Sequence, residues 1–459
     1  MAKKVMVIGL DCGAPKLFFE QFRDQLPNLK KIMENGAYGR MRTTEPPITI
    51  PAWMVMMTSV NPGSMGIYGF RHRTLNSYTD FWIANSFKMT KPKLWEILGE
   101  KGMDSIVVGV PPTFPIKPMK GHMISGFITP GIENDYTHPL SLKQEIADLV
   151  GEYILDITFR TENKQQLVDE LFEMTKKRHE VIKYLIKNKP WQFFMFVEIG
   201  LDRLHHGFWK YFDKEHHLYE PGNQFENVFL EYYKLLDKQV GEIMELVDDE
   251  TAILVVSDHG AKRMKGCFCI NEWLIKQGYL VLNNYPEDIT RPGKADINWE
   301  KTKAWGWGGY YSRVFLNMQG REETGVIPQE DYDKEMNILK EKLLSIKGPN
   351  GEEWKNMVYR PEERYPETNG DPPDLMVYFD DLSWRSAGTM GHNKMYLPEN
   401  DMGPDDAVHD WYGIFMLYDP KKKIGKKLPD LSIMDVAPTV MDLLGQEVPP
   451  QMEGKIIRP

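Results

Sequence analysis

Cysteine, surplus positive charge and long apolar runs are all scarce in this sequence of 459 residues, and each scarcity excludes something. Cysteine occurs at positions 12, 267 and 269 only. Cys267 and Cys269 are too close to bridge comfortably, and an isolated C-x-C is a weak metal signature. The three are expected to be reduced, structural thiols of a cytosolic protein. Lys and Arg number 56 against 66 Asp and Glu, a formal net charge of -10. A general electrostatic grip on a nucleic-acid duplex is therefore not expected. A negative protein still binds phosphate where metal ions reverse the local sign. Apolar runs are short: Val5 to Leu10, directly after Met-Ala-Lys-Lys, suits neither a membrane span nor a secretory leader, and no small-residue cleavage site follows. No membrane partner and a cytoplasmic location are expected. Low-complexity tracts and repeats of solenoid period are also missing.

What is present is a recurring alternation. Val5 to Leu10, Ser105 to Val110, Phe193 to Ile199 and Ala252 to Ser257 are apolar runs of strand length, as expected of strands buried on both faces. Helix-like stretches accompany them, at Pro27 to Met33 (stopped by Asn35-Gly36), Pro92 to Glu100 and Asn227 to Val247. The pattern predicts an α/β fold with a doubly wound, mainly parallel sheet sandwiched by helices. From about Gly260 to Met402 the texture changes: strand-like Arg313 to Asn317, helix-like Gln329 to Leu344 and strand-like Pro373 to Phe379, bounded by Gly/Pro-rich turns. This reads as a smaller inserted α+β lobe over residues 261–402, with 1–260 and 403–459 forming the main domain. Gly413 to Tyr418 returns the chain to the main sheet, and Ser432 to Leu444 closes it as a helix.

Ligands of open α/β sheets collect beyond the carboxyl ends of the strands. Three apolar runs lead there to an aspartate: Asp11, Asp202 and Asp258. Any one of them is equally a turn residue or helix cap. Together they crowd like charges on one sheet edge, which is unfavourable unless something positive lies between them. Histidines accompany them. Asp202 and His206 share a helix face if the segment is helical, His259 adjoins Asp258, and His409 precedes the strand at Gly413. A histidine taken singly also reads as a hydrogen-bonded structural residue. Mixed Asp/His sets suit zinc or manganese better than calcium. Thr49, in Pro46-Pro-Ile-Thr-Ile-Pro-Ala-Trp53, stands where a helix from Ala52 to Ser59 would begin. There it is either a cap or a hydroxyl held where an anion is favoured.

The motifs Val7-Ile-Gly-Leu-Asp11, Thr49-Ile-Pro-Ala-Trp53 with Thr58 to Phe70, Asp202-x-x-x-His206, Val256-Ser-Asp-His-Gly260 and His409-x-x-x-Gly-Ile-Phe415 resemble, in this order, the alkaline phosphatase superfamily. The resemblance is closest to the type I phosphodiesterase/nucleotide pyrophosphatase family, and the closing stretch Ser432 to Gly445 is similar to that family's last helix. The resemblance implies a metal-dependent hydrolase of small phosphate esters or nucleotides with two divalent cations, zinc or manganese. Asp11, Thr49, Asp258 and His259 would surround one, and Asp202, His206 and His409 the other. Such pairs lie about 4 Å apart and clamp attacking and leaving oxygens. Thr49 would be the nucleophile, passing through a phosphoryl-threonine intermediate.

Relatives that cleave nucleotides often carry an Asn shortly after the Gly-Ile segment. Here Phe70 stands in that place, followed by Arg71, His72 and Arg73, so Arg71 or His72 is expected to supply the substrate-binding donor. His392 is a spare candidate for the role given to His409. Trp305, Trp307, Tyr310 and Tyr311 either pack the lobe or stack on a leaving group. A monoesterase or phosphomutase is the second enzymatic reading, weakened because many such relatives use serine. A sulfatase lacks its Cys/Ser-x-Pro-x-Arg precursor here, and a catalytically silent scaffold fits poorly with six retained ligands.

Overall fold

The run after Met-Ala-Lys-Lys forms β1 (Lys4–Leu10), buried throughout from Val5 to Leu10. A strand with no exposed face needs layers on both sides. The structure, a computed structural model, describes residues 2–459. It divides into two compact units: the first comprises the residues up to Asn61, Ala84–Ala261 and His409–Pro459, and the second Pro62–Ile83 and Lys262–Val408.

In the first unit β1 is joined by β2 (Ala37–Arg42), β3 (Ser105–Val108), β4 (Gly121–Ile124), β5 (Thr137–His138), β6 (Phe193–Glu198), β7 (Thr251–Val256) and β8 (Tyr412–Tyr418). Two short strands beyond β8 bring the described sheet to ten, and the order through its main part is β2-β8-β7-β1-β6-β3-β4-β5. β7, β1, β6, β3 and β4 run parallel. β8 is antiparallel to both β2 and β7. Helices α1 (Thr49–Thr58), α2 (Lys164–Asn188), α3 (Gly200–Phe212), α4 (Val228–Leu246) and α5 (Val436–Leu443) belong to this unit. α2 carries Leu167, Leu171, Met174, Val181, Ile182 and Leu185 at helical spacing on its buried face. The mainly parallel α/β architecture is the expected one.

The second unit is built around an antiparallel sheet in the order Ala304–Trp307, Ser312–Leu316, Leu375–Tyr378, Met357–Tyr359. The helix Tyr332–Leu344 buries Met336, Leu339 and Leu343 in the same core. Residues 62–83, read from sequence as part of the main domain, fall in this unit. The reason is visible in its buried contacts. Arg73 pairs with Glu322 at 2.8 Å and Asp371 at 2.7 Å. Tyr78 stacks on Trp299 at 3.7 Å and donates its hydroxyl to Asn317 at 2.7 Å. Trp305 and Tyr311 are buried packing residues, Trp305 lying 5.4 Å from the Phe315 ring.

Candidate active site

Strand register brings the sheet's polar edge together. Leu10 pairs with Glu198, and Gly9 with Val256, so β1, β6 and β7 end level with one another. Asp11 leaves β1 and Asp258 leaves β7 at the same height. Asp202 stands in the first turn of α3, which begins two residues past β6. β8 runs the opposite way, so its beginning, not its end, lies at this edge: Tyr412 pairs with Arg42 and Phe415 with Val256. His409, just before β8, arrives where the carboxyl ends of the other strands converge. β2 exits at the same edge, and the segment after it leads to Thr49 at the start of α1.

Glu198 fixes the start of α3. Its carboxylate accepts from the Gly200 N–H at 2.8 Å and from Arg178 of α2 at 2.6 Å, all buried. A Cβ on Gly200 would lie 2.1 Å from the Tyr232 hydroxyl, so the turn into α3 has room for glycine alone. Thr49 is the first residue of α1, with Ile48 in the capping position, so its hydroxyl does not cap the helix. Thr49 Oγ1 instead lies 3.2 Å from His259 Nε2.

All seven candidate side chains, Asp11, Thr49, Asp202, His206, Asp258, His259 and His409, are buried in the first unit. His206 Nε2 is 3.2 Å and His409 Nε2 3.9 Å from Asp202 Oδ1. His259 Nε2 is 3.0 Å from Asp258 Oδ2 and 3.8 Å from Asp11 Oδ1. The rings of His259 and His409 stack at 3.7 Å. Two of the imidazoles are oriented by carbonyls: His259 Nδ1 donates to Gly260 O at 3.1 Å and His409 Nδ1 to Pro47 O at 2.6 Å. A carbonyl accepts only, so each Nδ1 carries a proton, and each Nε2 is the ring atom turned toward the carboxylates. His205, next in sequence to His206, has the structural fate: its Nε2 pairs with the Tyr233 hydroxyl at 2.8 Å, and burial pushes it down to about 3.

The charges are out of balance without a cation. Asp11 Oδ1 and Asp258 Oδ2 are buried with no hydrogen-bond partner. Burial, reinforced by Asp258 and Asp202, holds the Asp11 carboxyl well above the usual carboxylate range. Burial would raise Asp202 as well, but His206, Arg203 and His409 hold it well below that range. Burial opposes the charged form of His259, yet Asp258 and Cys12 outweigh it and raise its pKa. Burial and the neighbouring His259 and His206 push His409 far down. Buried carboxylate oxygens with imidazole nitrogens 3–4 Å away are what a divalent cation resolves, and the Asp/His donor set fits one. Two overlapping donor groups are within mutual reach, Asp11/Asp202/His259 and Cys12/Asp202/His206/His409.

Arg71 and His72 belong to the second unit, whereas this group lies wholly in the first. His72 is buried; its Nε2 accepts from the Tyr68 N–H at 2.8 Å and its ring stacks on Trp82 at 4.2 Å. His392 also lies in the second unit, bonded through Nε2 to Thr389 Oγ1 at 2.7 Å. Sequence reasoning overlooked the roles of three residues around the ligands. Trp53 donates Nε1–H to Asp11 Oδ2 at 2.7 Å. Arg203 donates to Asp202 Oδ2 at 2.6 Å while gripping Asp156 through two bonds of 2.8 Å. Cys12 donates its backbone N–H to Asp258 Oδ1 at 3.1 Å. Their signal was adjacency to ligands: Arg203 and Cys12 each follow one directly, and Trp53 lies one helical turn from Thr49.

The family model for type I phosphodiesterase / nucleotide pyrophosphatase matches residues 5–405. No curated protein matches the sequence. Among solved structures, human ectonucleotide pyrophosphatase / phosphodiesterase 5 is similar, with a TM-score of 0.58 and 12% identity over 97% of this chain and 96% of that one. Murine ectonucleotide pyrophosphatase / phosphodiesterase 5, in an inactive form in complex with AMP, gives 0.56 and 12% over 99% and 97%. At this identity the likeness to these structures is one of fold.

Proposed function

This chain belongs to the type I phosphodiesterase/nucleotide pyrophosphatase family, whose members are metal-dependent phosphoric ester hydrolases, and on that premise we propose that Thr49 is its nucleophile toward a phosphate diester or nucleotide. Asp11, Thr49, Asp258 and His259 would hold one divalent cation, and Asp202, His206 and His409 a second. Bound there, the pair would supply positive charge that favours the deprotonated Thr49 oxygen and offsets charge on the phosphoryl oxygens.

The chain's own groups account for the remainder. Thr49 Oγ1 lies 3.2 Å from His259 Nε2, which keeps the hydroxyl within the group of ligands. Its place in the first turn of α1, where helical N–H groups lack intrahelical partners, favours an anion beside it. Oγ1 forms the bond to phosphorus as the ester oxygen leaves with its electron pair. Water then cleaves the phosphoryl-threonine and restores the hydroxyl. The observation that carries the reading is the convergence of seven buried side chains on one sheet edge. A nucleotide is the favoured substrate class, supported by the AMP bound to the murine relative.

Turnover of a bis-nitrophenyl phosphate by metal-loaded wild type and Thr49→Ala tests this. Thr49→Ala should lose about a thousandfold or more in kcat while keeping its metal. A variant that turns over normally would refute the nucleophile. A wild type that strongly prefers the monoester would instead favour the phosphatase or mutase reading.

A further inference from the structure

Cys12 is a ligand-type side chain at this edge that the proposed two-cation arrangement does not use. It is fully buried, directly after Asp11, and its sulfur meets Gly260 O at 3.6 Å. The imidazoles of His206 and His259 are both within hydrogen-bonding reach of it. The donor atoms of Cys12, Asp202, His206 and His409 lie within 4.8 Å of one another, and all four residues are buried. A second observation points to a cation here. Asp202 is shared with the Asp11/Asp202/His259 group, in which the buried Asp11 Oδ1 faces inward with no hydrogen-bond partner. Cys12 has φ 65°, a conformation that costs a side-chain-bearing residue something and glycine nothing.

We propose that Cys12 Sγ is a metal donor, completing with Asp202, His206 and His409 a four-donor protein set for one of the two cations. This rests on the metal-dependent reading above and adds to it the identity of the ion. One sulfur, one carboxylate and two imidazoles form a set of tetrahedral, zinc type. Thiolate selects borderline and soft ions over manganese or magnesium. The Asp11/Thr49/Asp258/His259 set, by contrast, is rich in oxygen and accepts harder ions. The two sites therefore differ, one selective for zinc-class ions and one permissive. As the sulfur–metal bond forms, the thiol proton leaves to solvent.

The test uses the full chain, stripped of metal and reloaded with cobalt(II) alone, read by absorption. Thiolate-to-cobalt charge transfer gives a near-ultraviolet band that carboxylate and imidazole ligands do not produce. Wild type should show the band, while Cys12→Ser and Cys12→Gly should lack it despite retaining Cys267 and Cys269. Cys12→Gly relieves the φ requirement, and its denaturant unfolding beside wild type separates loss of the sulfur from loss of the fold. In competition between zinc and manganese, read by elemental analysis, both variants should lose about tenfold or more of the zinc preference at one site. Cobalt bound at two sites without the band, or variants with unchanged band and preference, would overturn the Cys12 assignment and leave the two-cation reading standing. A wild type that takes up no divalent ion would overturn both.

Discussion

Replacing Trp53 by phenylalanine asks how far a neutral neighbour sets the affinity of the ligand group. Trp53 is wholly buried, and its indole N–H reaches Asp11 Oδ2 at 2.7 Å. Phenylalanine keeps most of the apolar contact and deletes that donor without altering any charge. Groups that orient a ligand typically contribute 10–100-fold to metal affinity, which is about 1.4–2.8 kcal/mol. A hydrogen bond to a charged acceptor, worth about 1.5–3 kcal/mol, gives the same range independently. The indole bond also opposes the upward displacement of Asp11 caused by burial, Asp258 and Asp202. Without it the carboxyl moves further up and protons compete better with the cation, so the deficit should grow as pH is lowered. The smaller ring leaves a void costing about 2 kcal/mol of stability. Zinc affinity measured against a chromophoric chelator, beside denaturant unfolding of the metal-free protein, separates the two effects. Zinc bound by Trp53→Phe as tightly as by wild type, or a deficit unchanged across pH, would refute the reasoning.

Gly9→Ala approaches the same contact from the other side, since its Cβ would lie 2.6 Å from the Trp53 ring and 2.8 Å from Phe196 O. It should destabilise by about 1–3 kcal/mol and weaken zinc binding together with stability, measurable in the same two assays. Arg178→Met strands Glu198, whose partner at 2.6 Å is equally buried, and should cost about 3–5 kcal/mol in denaturant unfolding. His72 gives a pH signature in the second unit. Burial, with Arg313 nearby, pushes it down to about 3, so it stays neutral when folded while the unfolded chain takes up a proton below its ordinary value. Stability is then fully present above pH ~6.5 and is lost as pH falls toward ~3, by about 2 kcal/mol at pH ~5. The stability advantage of wild type over His72→Gln should shrink by that amount between pH ~7 and ~5.

The central strands were legible because they are buried on both faces: β1, β6 and β7 consist almost entirely of apolar residues and read as strands without help from their partners. β2 is Ala-Tyr-Gly-Arg-Met-Arg, with alternate residues reaching solvent and two arginines, and gives no such signal. The helix α2 was recoverable in principle from its leucine spacing but carries no continuous apolar run to draw attention. Residues 62–83 misled because their loyalty is set by side chains far along the chain, Glu322 and Asp371 for Arg73 and Asn317 for Tyr78. At the edge of the sheet the ligand-type residues were readable from their places at strand ends. Which neighbours orient them was not. Trp53 meets Asp11 only through a helix that has folded back across β1, and His205 differs from His206 only in the helix face it occupies.

One reversed strand carries a consequence for synthesis. β8 sits between β2 and β7, so the earliest and middle portions of a nascent chain cannot close their shared sheet until the segment beginning at His409 has emerged. A partly made polypeptide on the ribosome already has Asp11, Thr49, Asp202 and Asp258, yet lacks both the crossing strand and the final imidazole. On the proposed arrangement, ester cleavage waits for that segment, and a product truncated before His409 should be inert.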